Sequence, residues 1–145
     1  MYTPVSSRAA NAYRQVGVQS GVDGANPHQL IQMLFDGLLQ SLNEARGAMQ
    51  RGEVETKGRL IGKSVRILEE GLKAALDPAQ GGEIAANLHA LYGYCVTRLT
   101  LANLRNDPAL LEEVVALIEP VAQSWAAIGG PGGASGSAPS ARVGG

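Results

Sequence analysis

The feature that most constrains this chain is its punctuation. Helix-starting and helix-stopping pairs recur between stretches of helical periodicity, at Asn26-Pro27, Arg51-Gly52, Asp77-Pro78, Gly81-Gly82 and Asp107-Pro108. The first stretch opens at Asn26, with Pro27 in its first turn and Gln29 three residues after the cap, an N-x-x-Q form of the capping box. Leu30, Leu34, Leu38, Leu42, Ala45 and Met49 follow at helical spacing down to a basic residue and a glycine stop at Arg51-Gly52. A second helix is expected from about Glu53 to Leu76, ending at Asp77-Pro78. A third is expected from Glu83 to about Asn106. A fourth follows Asp107-Pro108 and carries Leu111, Val114, Val115, Ile118, Val121, Ala122 and Trp125. No segment reads convincingly as a strand. Helices of roughly 20 to 25 residues joined by short turns become antiparallel neighbours, so the expected fold is all-α, an antiparallel up-and-down four-helix bundle. Pro120 is expected to kink the fourth helix, because its ring meets the carbonyl of Ala116.

The 145 residues suit one domain with a real core. Residues 1–25 are small and polar with scattered apolar points, and read as a flexible N-terminal arm. The last 17, "GGPGGASGSAPSARVGG", hold seven glycines, two prolines and three serines and cannot bury enough apolar surface to order themselves. The expected organisation is therefore an arm (1–25), a helical domain (26–128) and a disordered tail (129–145). A net charge of −1 argues against a nucleic-acid footprint or a polybasic membrane contact. No segment approaches the roughly 18 apolar residues of a membrane span, and "MYTPVSSRAANAY" has no apolar signal core. The single cysteine, Cys95, fits a reducing compartment, so a cytoplasmic location is expected.

The stretch "GRLIGKS" (58–64) resembles a phosphate-binding loop but fails its requirements. A Walker A loop has four residues between its glycines, follows a strand and opens a helix. Here only Arg59, Leu60 and Ile61 intervene, and no strand precedes them. On a wheel at 100° per residue with Leu60 at zero, Arg59, Lys63, Arg66, Glu69, Glu70 and Lys73 fall between about 180° and 300°. Lys63 is therefore a surface lysine. The apolar side is unusually wide: Leu60, Ile67 and Ala74 mark one edge, Ile61, Val65, Leu68, Leu72 and Leu76 extend to the other, and the arc is about 200°. A bundle helix needs a stripe little wider than 100°, so half of that arc asks for a cover. The third helix repeats the question. From Ile84 to Leu104 its only charged residue is Arg98; one stripe holds Ile84, Leu88, Leu91, Cys95, Leu99 and Ala102, and the opposite flank Ala90, Tyr94, Leu101 and Leu104. Such a face marks either a partner site or a surface covered by the chain itself.

Catalytic and metal constellations do not assemble. His28 and His89 stand in no metal-binding spacing, and neither Glu69-Glu70 nor Glu112-Glu113 belongs to an E-x-x-H motif; each pair reads as a solvated face. Cys95 reads as a small core hydrophobe, and Arg98 is expected to pair with a carboxylate or cap a carbonyl. No enzyme activity and no cofactor is expected.

Several stretches together resemble the FliS-type flagellin export chaperones: "NPHQLIQMLFDGLLQSL" (26–42), "GLKAALD" (71–77), "GGEIAANLHALYGYCVTRL" (81–99), "ANLRND" (102–107) and the tryptophan of "AQSW" (122–125). The arm's "NAYRQV" (11–16) is similar to the tyrosine-bearing start of that family, and the likeness spans roughly residues 10 to 128. The resemblance implies a cytoplasmic, non-enzymatic chaperone with a helical-bundle fold. It implies binding of the C-terminal segment of flagellin, prevention of premature polymerisation, and delivery to the type III export gate through FlhA. It also implies an arm that lies over the client groove and takes part in the gate contact. Combined with the wheel, it makes Leu60, Ile67, Ala74, Ala90, Tyr94 and Leu101 the candidate groove, read by helix-in-groove recognition. Tyr13, with Ala10 a turn earlier, is the candidate arm anchor and export-gate contact. The alternative arrangement makes those six ordinary core and turns Ile61, Val65, Leu68, Leu88 and Leu91 outward. Asn87, Arg98 and Asn103, within the family-like motifs, read as structural. A second functional class stays open, a self-associating structural helical bundle whose spare apolar face is a homodimer interface; for the chaperone itself, a homodimer in the client-free state also stays open.

Overall fold

A computed structural model describes residue 11 and residues 26–128 of the chain. The expected arm (1–25), with Ala10 and Tyr13, and the expected tail (129–145) lie outside the described residues, save Asn11. Among the described residues the long elements are four helices and no strand: α1 (Pro27–Gln50), α2 (Val54–Arg66, running on without a break into a π-helical stretch, Ile67–Lys73), α3 (Pro78–Arg105) and α4 (Pro108–Ile128). α1 and α3 each lie against α2 and α4, while the diagonal pairs do not approach. The result is the expected antiparallel four-helix bundle, a square ring around one core. Leu34, Phe35, Leu38, Leu42, Leu68, Leu99, Leu111, Val114 and Ile118 fill its centre.

The turns follow from local chemistry. Asn26 closes a capping box at α1: its Oδ1 accepts from Gln29 N–H at 2.7 Å, and Gln29 Oε1 accepts from Asn26 N–H at 3.0 Å. α1 ends in a Schellman motif. Gly52, at φ 73°, donates to Met49 O at 3.2 Å and Glu53 donates to Ala48 O at 2.9 Å, a left-handed turn that glycine adopts without strain. Asn106, at φ 58°, ends α3, and the Asp107 carboxylate then accepts from Ala109 N–H at 3.0 Å to start α4.

Two boundaries differ from the sequence reading. Asp77 does not merely end the second helix; its carboxylate accepts from Ala79 N–H at 3.1 Å and caps α3, which begins at Pro78. The Gly81-Gly82 pair is a break inside α3, with Gly82 at φ 52°, ψ −125°. A side chain at Gly81 would put its Cβ 2.7 Å from that of Ala85. Pro120 lies inside α4, as the sequence places it, and is exposed.

The π-helical stretch changes the orientation of the second half of α2. An i→i+5 ladder takes up nearly one more residue per turn than an α-helix. Residues four apart advance by about 40° in the α-helical part and fall back by a similar angle in the π-helical part, so the two segments together keep them near one face. Leu60, Ile61, Ser64, Ile67, Leu68 and Leu72 are all buried, so the apolar arc that looked too wide on an α-helical wheel is used almost entirely by the core.

Candidate functional site

Segment 58–64 lies wholly inside α2. Ser64 is buried and its hydroxyl donates to the Leu60 carbonyl at 3.0 Å, a bond within its own helix, while Lys63 points to solvent. The lysine that matters structurally is Lys57. Only 6% exposed, it donates from Nζ to Asn103 O at 3.1 Å and to Asn106 Oδ1 at 3.0 Å. A cation buried against the last turn of α3 satisfies carbonyls that the helix cannot, and favours the negative end of its dipole.

Among the described residues the opposite end of the bundle is less completely filled. There Ile31 and Phe35 of α1, Leu72, Ala75 and Leu76 after the π-helical turn, Leu88 and Tyr92 of α3, and Val121 and Trp125 of α4 enclose an apolar cleft of about 90 Å³. A reciprocal clasp holds its rim. Trp125 Nε1 donates to His28 O at 3.0 Å, and His28 Nε2 donates to Trp125 O, which fixes a proton on Nε2. The two rings stack with centroids 4.7 Å apart. Near this end Ile84 (70% exposed) and Ile128 (60%) project into solvent.

The outer side of α3 carries the third feature. Tyr94, 45% exposed, donates its hydroxyl to Glu113 Oε2 at 2.6 Å, and Arg98 Nε donates to Glu113 Oε1 at 2.8 Å. The Arg98 guanidinium carbon lies 5.6 Å from the Tyr94 ring centroid. The hydrogen bond from Tyr94, then that from Arg98, hold the Glu113 carboxyl below its usual range, and the bond to Glu113 raises the Tyr94 phenol. Glu113, read from sequence as part of a solvated face, is thus the carboxylate partner of Arg98. Burial is the first cause and Glu113 the second that push the Cys95 thiol up to about 11, so it stays protonated in the core near neutral pH. Burial likewise raises the Tyr92 phenol.

The six groove candidates do not share one surface. Leu60 and Ile67 are in the core: with Ile61, Ser64 and Leu68 they fall within about 120° of one another on the wheel, the stripe that an ordinary bundle helix buries. Ala90 and Tyr94 are exposed on α3 with Leu101 partly buried beside them, and Ala74 is exposed where α2 ends. The alternative set divides too: Ile61 and Leu68 are buried, Val65, Leu88 and Leu91 partly so. Sequence reasoning missed the end cleft, the Lys57 cap and the His28–Trp125 clasp. Lys57 alone had a visible signal, a charged residue about 60° into the apolar arc. Among the described residues no three His, Cys, Asp or Glu side chains group as metal ligands, and no helix is long and apolar enough to cross a membrane.

Fold and surface define the class first: a four-helix bundle with an apolar cleft at one end and a nearly uncharged outer helix. Comparison with known proteins then gives the family. The family model described as "Flagellar protein FliS" matches residues 9–131, and the chain belongs to the FliS family. It is 48% identical over 125 residues to the flagellar secretion chaperone FliS of Salmonella typhimurium, covering 86% of this chain and 90% of that protein. It is 48% identical over 118 residues to the flagellar secretion chaperone FliSB of Pseudomonas aeruginosa, covering 81% and 93%. The FliS of Bacillus subtilis is 31% identical over 107 residues, covering 74% and 78%.

Proposed function

We propose that this chain is a cytoplasmic export chaperone that binds the C-terminal segment of flagellin, keeps it from polymerising prematurely and presents it to the type III export gate through FlhA. Family membership supports the export role. The observation that carries the binding role is the outer side of α3, where Ala90, Tyr94 and Leu104 (79% exposed) face solvent and Arg98 is the only charge between Ile84 and Leu104. A solvent-facing helix normally presents charged and polar residues there. The apolar side of an amphipathic segment, unfolded when free and helical when bound, fits such a surface, with Ala90, Tyr94 and Leu101 as its contacts. Ala74 and the cleft between the four helices extend the contact towards that end of the bundle. No catalytic step is required.

The test is calorimetry of the purified protein with a flagellin C-terminal peptide, paired with sedimentation. A saturable one-to-one complex and helix gain in the peptide are expected. A tight dimer that the peptide leaves unchanged would favour a homodimer interface and overturn the chaperone reading.

A further inference from the structure

A guanidinium in the middle of an otherwise uncharged helix face is an obstacle to an apolar partner, because it must be desolvated when the partner covers it. The fold deals with this obstacle from the neighbouring helix. Glu113 sits on α4, to the side of the α3 face. One of its oxygens takes Arg98 Nε at 2.8 Å, which neutralises the guanidinium and draws it towards α4. The other takes the Tyr94 hydroxyl at 2.6 Å, which fixes the phenol with Arg98 5.6 Å from its centroid. Tyr94 and Arg98 are four residues apart, so both project from one side of α3 and a single carboxylate can hold both.

Resting on the chaperone reading above, we propose that Glu113 is a positioning residue for client binding: by neutralising Arg98 and pinning Tyr94 it keeps the outer side of α3 electrically neutral and preformed for the apolar side of a helical client segment. Glu113 acts through those two residues and needs no contact with the client. Pre-setting the tyrosine also lowers the ordering cost at the moment of binding.

Charge removal gives a test that a merely structural role fails. Glu113→Gln keeps the size and one acceptor oxygen but leaves Arg98 unneutralised on the face. It is expected to weaken a flagellin C-terminal peptide roughly tenfold by calorimetry while the thermal midpoint stays near that of the wild type. Adding Arg98→Gln removes the stranded charge and restores affinity to within about threefold of wild type. Peptide affinity unchanged in Glu113→Gln, or a double variant as weak as the single, overturns the inference while leaving the chaperone reading intact. If Glu113→Gln fails to fold, the double variant decides alone: affinity near wild type upholds the inference and tenfold weaker binding sinks it. A wild-type protein that binds no peptide removes the chaperone reading and this inference together.

Discussion

The two ends of the bundle are built differently. At the end holding the α1–α2 and α3–α4 turns, both helix stops are left-handed glycine or asparagine turns, and buried Lys57 ties α2 to the last turn of α3. Ala45, Ala48, Leu99, Ala102 and Leu111 pack there in the core. At the other end Gly82 breaks α3, α2 has just left its π-helical turn, and an apolar cleft remains between the four helices. Among the described residues the His28–Trp125 clasp closes that rim. Close packing at one end supplies the stability that lets the other remain incompletely packed, a division expected where one chain must both fold alone and receive a partner.

The comparison can be broken most forcefully at the packed end. Leu111→Ala, in the core beside Val114, is expected to lower unfolding free energy by about 2–5 kcal/mol in urea titration. Lys57→Met ranks next. It leaves Asn103 O and Asn106 Oδ1 without their donor, and about 1–3 kcal/mol should be lost; a change under about 0.5 kcal/mol would mean that the cap is incidental. At the cleft end, His28→Ala removes the stack and one bond of the clasp. It should cost only about 1 kcal/mol and raise amide exchange near Trp125 more than near Lys57.

The smallest effect is a titration. Glu113 has a folded pKa below its ordinary 4.5, first through the Tyr94 hydroxyl and then through Arg98. The interaction is therefore complete above pH 4.5 and is lost as pH falls through the depressed native value. Carboxyl NMR should place the midpoint below 4.5, and Tyr94→Phe should move it upward. A Glu113 midpoint unmoved by that substitution would detach the tyrosine from the carboxylate.

Caps were the most legible part of the sequence because they are local. Asn26-Pro27 with Gln29, Gly52 and Asp107-Pro108 each act within a few residues, and the structure places all of them as the pattern implies. Asp77-Pro78 was ambiguous for a physical reason: the same pair can stop one helix and cap the next, and here it caps α3. The surface assignment of α2 failed because it divided the arc through the buried stripe: Leu60 and Ile67 lie within about 120° of Ile61, Ser64 and Leu68, and all five are in the core. Leu60, Ser64, Leu68, Leu72 and Leu76 recur every fourth residue. That period is longer than an α-helix can keep on one face, and the underwound turn accommodates it. The outer side of α3 could be read, because Ile84–Arg105 keeps the α-helical step after the Gly82 break. The Glu113 and Trp125 partnerships could not, since they join residues whose proximity exists only after the helices have packed.

The clasp has a further consequence for what can be attached to this protein. Because His28 and Trp125 touch, the chain enters and leaves the bundle at neighbouring points on the rim of the cleft. A peptide fused beyond Ile128 through a flexible linker begins its search already beside that cleft. Its encounter becomes intramolecular, at an effective concentration in the mM range for a short linker. A ligand too weak to isolate as a separate molecule could therefore be held in place, and a single polypeptide would serve as receptor and cargo at once.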